Sequence, residues 1–407
     1  MKRTIFILSF LIAFSILFSA YAESTIMIVS DPHYCSPRLY QNSGLFIRSI
    51  SQGDGKLVHH SDLLLRALIA QAEAIHPDVL LITGDLTFNG EKESHQELAS
   101  ALETLVSHGI AVYVIPGNHD INCKSALKFV GDSYTTTESV TADEFKEIYS
   151  HFLGDISQEN IGISYTVSPA QDLTLCMLDC SFYEPVAYTF GLLDDNRYSW
   201  FEEKLIDSES NHRLFISATH HSVIPHSSLW KESFVILNAE RLSSTLVRHG
   251  ARIHLSGHLH IQHISEQDGL YDIASGAFSV YPHRYGLLTV DDHHHITYHA
   301  LPLDEALLPE GFMKESEQWF RTTTQTKTQS ALMDANIPDP EKTIMLEYAE
   351  DLNLAYFSGA LMLHDPVWTE RDGYHLWMQY SDRLSFGQYL NQILSEASIN
   401  ALSLSVP

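Results

Sequence analysis

Short apolar runs alternate with amphipathic stretches in the first part of the chain. The runs at residues 25–30, 79–83 and 110–115 have the length and composition of buried strands. Between Ser61 and Pro77, and again over residues 97–108, apolar residues recur three and four positions apart, which predicts two helices. The resulting order β-α-β-α-β is typical of a parallel sheet with helical crossovers. Ligands bind in loops at the carboxyl ends of such strands.

The middle of the chain is richer in strands, and its last part is mainly helical. The later predicted elements are a hairpin at 163–167 and 173–178, a helix at 195–206, and strands at 214–219, 252–256, 270–274, 286–290 and 296–301. This order predicts an α/β protein with two mixed sheets packed together and helices outside them. Near Pro302 the pattern changes, and the best helices beyond it lie at 342–362 and 383–398. We therefore expect a main domain over 23–301 and a helical C-terminal appendage over 302–407.

The N-terminal residues have the pattern of a secretory signal peptide. Lys2 and Arg3 precede an apolar run at 5–18 and the small residues of Ala20-Tyr21-Ala22. This run is shorter than the ~20 residues that a spanning helix usually needs. We expect cleavage after Ala22 and export to the periplasm or the exterior, with an uncleaved membrane anchor as the alternative. No later segment is apolar enough to span a membrane, so we expect no stable span after cleavage.

Composition limits the class of protein and of partner. The chain has 407 residues, of which 44% are hydrophobic and 18% are charged, which favours a folded protein over a disordered one. Its formal net charge is −27, whereas bulk binding of nucleic acid needs clustered Lys and Arg. A small anionic substrate is compatible with this charge, since bound dications would reverse the local field. The pattern does not indicate an oligomeric state.

Five short polar motifs follow predicted strands. They are Asp31-Pro32-His33, Gly84-Asp85, Gly117-Asn118-His119-Asp120, His220-His221 and Gly257-His258-Leu259-His260. Together they supply carboxylates, an amide oxygen and imidazoles, which is the mixture that a two-metal phosphoryl-transfer site requires. Each motif alone fits an ordinary polar turn, so the prediction rests on the set.

Spacing within the motifs indicates which side chains could reach a metal. Asp31 and His33 lie two residues apart after a strand, and an extended chain would point both the same way. The same argument applies to His258 and His260. Asp85 has two oxygens and could therefore bridge two cations.

The neighbouring motif residues have different expected roles. The amide oxygen of Asn118 is a neutral hard ligand, and His119 beside it would lie free of metal and meet the substrate. Asp120 could accept from an imidazole N–H and set its tautomer. We expect His220 to be a ligand and His221 to be its neighbour. His221 and His226 are candidates for substrate contact, because His226 lies in a loop that could border the cleft.

Cysteine placement leaves two alternatives open. Cys176 and Cys180 lie four apart on a predicted strand, so their Cα atoms would be about 13 Å apart, too far for a disulfide. Cys35 and Cys123 each follow a metal motif by a few residues, so their loops should meet near the site. They could form a disulfide in an exported protein, or they could be free, buried thiols.

The motif set resembles that of the calcineurin-like metallophosphoesterase family over residues 24–301. The segment from Leu192-Leu193-Asp194 to Leu205 also resembles the helix that precedes the first His strand in that family. The resemblance implies a four-layer α/β/β/α sandwich for a catalytic domain at 23–301. It also implies two metal sites, one held by Asp31, His33, Asp85 and His260 and the other by Asp85, Asn118, His220 and His258.

Departures from the family pattern narrow the expected activity. Phe88 stands where purple acid phosphatases carry Tyr, and Asp120 stands where they tend to have Glu. Ser222-Val223 replaces the usual prolines after the His220-His221 pair. The pattern is more similar to phosphodiesterases that act on cyclic nucleotides or glycerophosphodiesters, and a lipid headgroup is a further candidate. The alternatives are a phosphomonoesterase on the same site and a non-catalytic metal-dependent binding protein.

The expected cofactor is a pair of divalent metal ions, with Mn, Fe, Zn or Co as candidates for this mixture of oxygen and imidazole ligands. Such ions lower the pKa of bound water toward ~7, so that a shared hydroxide could attack phosphorus in line with the leaving oxygen. His119 would then give a hydrogen bond or a proton to the leaving group or to a phosphoryl oxygen.

Overall fold

The structure is a computed structural model. It describes residues 23–407 apart from 41–42, 159, 230 and 334–335. The expected signal peptide at 1–22 lies outside the described residues. Within the described part, none of the helices combines the length and the hydropathy that crossing a membrane requires.

Most strands belong to two large sheets. In chain order the strands of the described chain are β1 (Ser24–Val29), β2 (Val79–Ile82), β3 (Ala111–Val114), β4 (Leu127–Val130), β5 (Ser133–Thr136), β6 (Tyr165–Ala170), β7 (Leu173–Met177), β8 (Leu214–Ala218), β9 (Ile253–Ser256), β10 (His263–Gln267), β11 (Leu270–Ala274), β12 (Arg284–Val290), β13 (Ile296–Pro302) and β14 (Ser403–Val406). The first sheet has the order β14-β13-β12-β1-β2-β3, and the second has the order β10-β11-β9-β8-β7-β6. In the first sheet the parallel pairs β1-β2 and β2-β3 lie at one edge, next to antiparallel pairs. In the second sheet antiparallel pairs flank the parallel ones, so both sheets are mixed, as predicted.

Helices flank the sheets and form most of the C-terminal part. In chain order they are α1 (Gly44–Ile50), α2 (Ser61–Ile75), α3 (Lys92–Ser107), α4 (Ala142–Ile148), α5 (Asp195–Ser210), α6 (Ala239–Arg248), α7 (Phe312–Leu332), α8 (Asp339–Phe357), α9 (Pro366–Thr369), α10 (Asp372–Gln379) and α11 (Ser385–Ser395). The expected helices at 61–77, 97–108 and 195–206 correspond to α2, α3 and α5. Those at 342–362 and 383–398 correspond to α8 and α11.

Burial on both faces explains the continuous apolar runs of the central strands. In β1, Ile26 and Ile28 pack against the second sheet, whereas Met27 and Val29 pack against α2 and α3. Alternate residues of a strand point to opposite faces, so a strand covered on both sides needs apolar residues throughout. On its outer face the second sheet packs against α5 and α6 through residues such as Phe201. The predicted four-layer α/β/β/α sandwich is confirmed.

The C-terminal segment is mainly helical, but its end returns to the first sheet. Strand β14 pairs antiparallel with β13, which places Val406 opposite Ile296. Helices α7 to α11 share an apolar cluster that also contains Leu259 and Ile261 of the last motif region. The division at residue 302 stays a prediction, and the segment beyond it is in contact with the motif loops.

Other details differ from the sequence-based expectations. The hairpin of β4 and β5 was not predicted, because β5 is exposed along its whole length and has no apolar alternation. Cys35 and Cys123 are free, buried thiols, so the structure favours that alternative over the disulfide.

Candidate metal centre

The five motifs meet at one edge of the sandwich, where strands of both sheets end. Asp31 and His33 follow β1, and Asp85 follows β2. His220 follows β8 of the second sheet, and His258 follows β9. Because parallel strands direct their carboxyl ends to the same edge, side chains far apart in sequence converge there.

Left-handed backbone, and not extended chain, aims the motif side chains. Positive φ angles occur at Asp31 (52°), His33 (43°), Asp85 (48°), His258 (64°) and His260 (60°). The prediction of an extended chain at Asp31 and His33, and at His258 and His260, is therefore wrong, although these side chains do converge. Non-glycine residues in this region are uncommon and cluster at functional sites, where surrounding contacts must hold them.

Backbone hydrogen bonds hold these loops in place. The N–H of Asp31 donates to the carbonyl of Gly84 at 3.2 Å, and the N–H of His33 donates to the carbonyl of Asp85 at 3.0 Å. A Cβ added at Gly117 would lie 2.2 Å from Asp85 Oδ1, a distance that real side chains do not reach. Glycine is thus required here because the backbone passes directly beneath the carboxylate.

One group of side chains contains Asp31, His33, Asp85 and His260, whose ligand atoms lie within 4.8 Å of one another. His260 Nε2 lies 3.3 Å from Asp31 Oδ1 and 3.1 Å from His33 Nε2. His33 Nε2 also lies 3.7 Å from Asp85 Oδ2. Two carboxylates and two imidazoles of this kind could hold one dication.

A second group contains Asp85, His220 and His258. His220 Nε2 lies 3.3 Å from Asp85 Oδ1 and 3.1 Å from the amide oxygen of Asn118. The rings of His220 and His258 have their centroids 5.0 Å apart. Asp85 therefore directs one oxygen to each group, which is the geometry expected of a carboxylate shared by two metal ions.

Unpaired polar atoms show that these residues fit metal ions. Within the described chain, Asp31 Oδ1 and His258 Nδ1 are buried and have no hydrogen-bond partner. The second polar atom of each of these two side chains is hydrogen-bonded. Asp31 Oδ2 accepts from the His258 N–H at 3.1 Å, and His258 Nε2 donates to the Ser233 carbonyl at 2.9 Å. Likewise, His220 Nδ1 donates to the Thr83 carbonyl at 2.8 Å and leaves Nε2 for the site. Buried polar atoms are rarely left unpaired unless an ion completes them.

The electrostatic environment favours bound cations. Burial opposes ionisation of Asp85, but the charges of His220 and His119 hold its pKa well below the usual value. Burial, followed by the charges of His221 and His220, lowers the pKa of His258. Burial also opposes protonation of His260, yet Asp54 and Asp31 raise its pKa to about 10. Carboxylates that stay ionised and keep a proton on a buried imidazole carry negative charge that dications would neutralise.

His119 lies at the edge of both groups and belongs to neither. Its backbone N–H donates to Asp85 Oδ1 at 2.8 Å. Its Nδ1 donates to the Phe88 carbonyl at 2.9 Å and lies 3.1 Å from Asn89 Oδ1. The ring stands edge to face with that of His33, with centroids 5.2 Å apart. This placement leaves Nε2 available to a bound substrate.

Asp120 contacts an imidazole through its backbone carbonyl, which lies 2.9 Å from His95 Nε2, and not through its carboxylate. It is fully buried, and its carboxylate accepts from the backbone N–H groups of Gly117 at 2.7 Å, Thr87 at 2.9 Å and Leu86 at 3.1 Å. These donors flank Asp85 and Asn118, so Asp120 positions the two loops that carry them. The acceptor that orients His119 is the Phe88 carbonyl.

The two histidines considered for substrate contact are both buried. His221 Nε2 donates to the Thr189 carbonyl at 2.8 Å, and its ring lies 4.2 Å from that of His258. His226 lies elsewhere, with its Nδ1 2.9 Å from His263 Nδ1 and its Nε2 3.6 Å from Asp272 Oδ1. His221 therefore packs against His258, and neither His221 nor His226 belongs to one of the two metal groups.

Asp54 and Lys56 are site residues that the sequence did not reveal. The Asp54 carboxylate accepts from His260 Nδ1, which orients that ring with Nε2 toward the first group. The Lys56 ammonium lies 3.7 Å from Asp54 Oδ1. Burial is the main cause of the lowered pKa of His33 and of His119, and the positive charge of Lys56 lowers both pKa values further. Trp319 of α7 holds the loop through its Nε1–H, which donates to the Lys56 carbonyl at 3.2 Å. No local pattern marks these residues, because their partners lie more than two hundred positions away.

Removing the Asp54 carboxylate should weaken metal binding. We expect Asp54→Ala to lower affinity for a dication by about 10- to 100-fold, because carboxylates that orient a ligating histidine have effects of that size. Competitive titration with a chromophoric chelator would measure it. Asp132→Ala is the matched control, since the Asp132 side chain is 93% exposed. Equal affinities in Asp54→Ala and the control would show that Asp54 does not support the metal ligand.

Comparisons with known proteins cover both parts of the chain. A family model described as calcineurin-like phosphoesterase matches residues 24–262. A model described as the C-terminal domain of cyclic nucleotide phosphodiesterase matches residues 304–400. A probable cyclic nucleotide phosphodiesterase of Vesicomyosocius okutanii is 29% identical over 48% of this chain and 68% of the relative. A 3′,5′-cyclic-nucleotide phosphodiesterase of Nostoc is 24% identical over 51% of this chain and 66% of that relative.

Solved structures agree with the architecture. A dimetal phosphatase from Danio rerio superposes with a TM-score of 0.51 and 13% identity, covering 69% of this chain and 96% of that chain. At this identity the likeness shows a shared fold.

Proposed function

The chain belongs to the calcineurin-like phosphoesterase family, and from that membership we propose that it is a phosphodiesterase for 3′,5′-cyclic nucleotides. The observation that carries the proposal is the pair of candidate metal groups that share Asp85. The substrate is supported by relatives named as cyclic nucleotide phosphodiesterases and by the match of the C-terminal segment.

Each side chain of the site has a separate task in this reaction. When bound, a pair of dications activates water and neutralises charge on the phosphoryl oxygens. Because the Phe88 carbonyl takes the Nδ1–H of His119, the ring donates a proton or a hydrogen bond from Nε2 to the leaving oxygen in its imidazolium form. The Lys56 ammonium, which lies 3.7 Å from Asp54 Oδ1 beside the first group, would bind a non-bridging phosphoryl oxygen.

Comparing diesters with monoesters tests the proposal. Protein reconstituted with metal should hydrolyse a 3′,5′-cyclic nucleotide with a kcat/KM at least about 10-fold above that for the corresponding 5′-nucleotide. A glycerophosphodiester serves as a second diester that lacks a nucleobase. Preference for the 5′-nucleotide would indicate a phosphomonoesterase instead. A metal-loaded protein that hydrolyses none of the three would favour a binding role.

The identity of the metal pair belongs to the same proposal. The ligands are carboxylate oxygens, one amide oxygen and imidazole nitrogens, which suit Mn, Fe, Zn or Co. Reconstitution of the metal-free protein with each ion, followed by the same assay, would identify the ion that supports turnover.

We further propose that the protein is exported and loses its first segment. The basic start, the apolar run and Ala20-Tyr21-Ala22 support this. N-terminal sequencing of protein from the cell exterior or periplasm should begin at Glu23, and recovery of the intact N-terminus from membranes would favour the anchor.

A further inference from the structure

A cavity of about 310 Å³ lies among the C-terminal helices beside the metal centre. Aromatic rings from three helices form its walls. Phe320 comes from α7 and Phe357 from α8, and their ring centroids lie 5.2 Å apart. Phe386 and Tyr389 come from α11, again with centroids 5.2 Å apart. The cavity is therefore lined by flat apolar surfaces.

The cavity shares one wall with the metal centre. That wall is Asp54, whose carboxylate also accepts from Nδ1 of His260. The loop that carries Asp54 packs directly on the aromatic side, since a Cβ added at Gly55 would lie 2.6 Å from Phe320 Cδ2. Asp54 is therefore the residue past which a molecule bound at the metals would reach into the cavity.

Polar groups at the cavity surface can bind hydrogen-bonding atoms of a ring. Thr324 and Lys327 of α7 and Asn353 of α8 line it. The Tyr389 hydroxyl donates to Asn353 Oδ1 at 2.6 Å, which fixes that ring in the wall. Aromatic faces combined with a few polar groups bind nucleobases by stacking and by edge hydrogen bonds. A lysine ammonium suits the acceptor atoms of a purine edge.

Size and position distinguish among occupants. A volume of about 310 Å³ lies at the small end of ligand pockets, which span about 300–1,000 Å³, so it suits one ring system better than lipid chains. All lining residues except Asp54 fall within the segment that matches the cyclic nucleotide phosphodiesterase C-terminal domain.

We propose that this cavity binds the base of the cyclic nucleotide while the phosphodiester lies at the metals. The identity of the ligand rests on the proposed function. The C-terminal segment then has a defined role, because it supplies specificity for the base to a site whose chemistry belongs to the sandwich.

Direct binding of nucleosides tests the cavity without turnover. Adenosine and guanosine carry the base but no phosphate, and their dissociation constants can be measured by calorimetry on the metal-loaded protein. Thr324→Trp would fill the cavity, and Thr326→Trp is the control, because Thr326 is exposed on the same helix outside the lining. We expect at least one nucleoside to bind the wild type and Thr326→Trp equally, and Thr324→Trp at least about 10-fold more weakly.

A second variant and a second readout complete the test. Phe386→Leu keeps apolar volume but removes an aromatic face, so it should also weaken nucleoside binding and raise KM for the cyclic nucleotide more than it lowers kcat. The ratio of kcat/KM for the cyclic nucleotide to kcat/KM for the glycerophosphodiester, which has no base, should therefore fall. Equal nucleoside affinity in wild type, Thr324→Trp and Phe386→Leu, or no binding to the wild type, would overturn the inference. Failure of the proposed function would give a different result from failure of the cavity proposal. The wild-type protein would then bind nucleosides but would not hydrolyse the cyclic nucleotide.

Discussion

Asp85→Ala is expected to lose at least one of two bound dications and to lower kcat on a phosphodiester by on the order of 10³-fold or more. The reason is geometric, because Asp85 Oδ1 lies 3.3 Å from His220 Nε2 while Oδ2 lies 3.7 Å from His33 Nε2. One substitution therefore removes a ligand from both groups. It also frees the His119 N–H that donates to Oδ1.

Metal content by elemental analysis and turnover on the same samples would measure this effect. Asp143→Ala is a suitable control, because the Asp143 side chain is 96% exposed and distant in sequence from every motif. An Asp85→Ala protein that keeps both metals and full turnover would exclude a shared carboxylate.

His119→Ala should separate catalysis from metal binding. We expect both metals to remain and kcat to fall by about 10²- to 10⁴-fold, the range for loss of a positioned acid or hydrogen-bond donor. Metal binding survives because His119 contacts Asp85 through its backbone N–H, which alanine retains. His151→Ala, at a side chain that is 71% exposed, controls for loss of a histidine.

The leaving group decides what His119 does. A proton donor matters most for a poor leaving group, so the loss should be larger for a cyclic nucleotide, which releases an alkoxide, than for bis-p-nitrophenyl phosphate. Equal losses on both substrates would indicate that His119 binds a phosphoryl oxygen instead. Full kcat on both substrates would remove it from the reaction.

The fold was predictable where burial dictates sequence. Residues 26–29 of strand β1 are all apolar because Ile28 faces one layer and Val29 the other, and the same holds for the whole of β2. Strands without that constraint were missed. β5 is exposed, and β14 is a short segment whose pairing with β13 depends on a chain return from the far end of the helical segment.

The candidate site was predictable as a set of residues but not as a geometry. The motif residues could be identified because each follows a strand and brings a metal-binding side chain. The left-handed backbone at Asp31 and His260 could not be inferred, because those residue types do not require it. Asp54 could not be identified from the sequence because its partner, His260, lies 206 positions away in the chain. The partners of the Asp120 carboxylate could not be inferred either, because they are the backbone N–H groups of Leu86, Thr87 and Gly117.

Metal stoichiometry tests the central claim most directly. Purified protein that is stripped with chelator, reloaded with Mn²⁺, Zn²⁺, Co²⁺ or Fe²⁺ and freed of excess ion should contain two dications per chain by elemental analysis, with at least one of these ions. The two groups that share Asp85 require that number. Protein that retains no dication after reloading with any of the four ions would contradict the account.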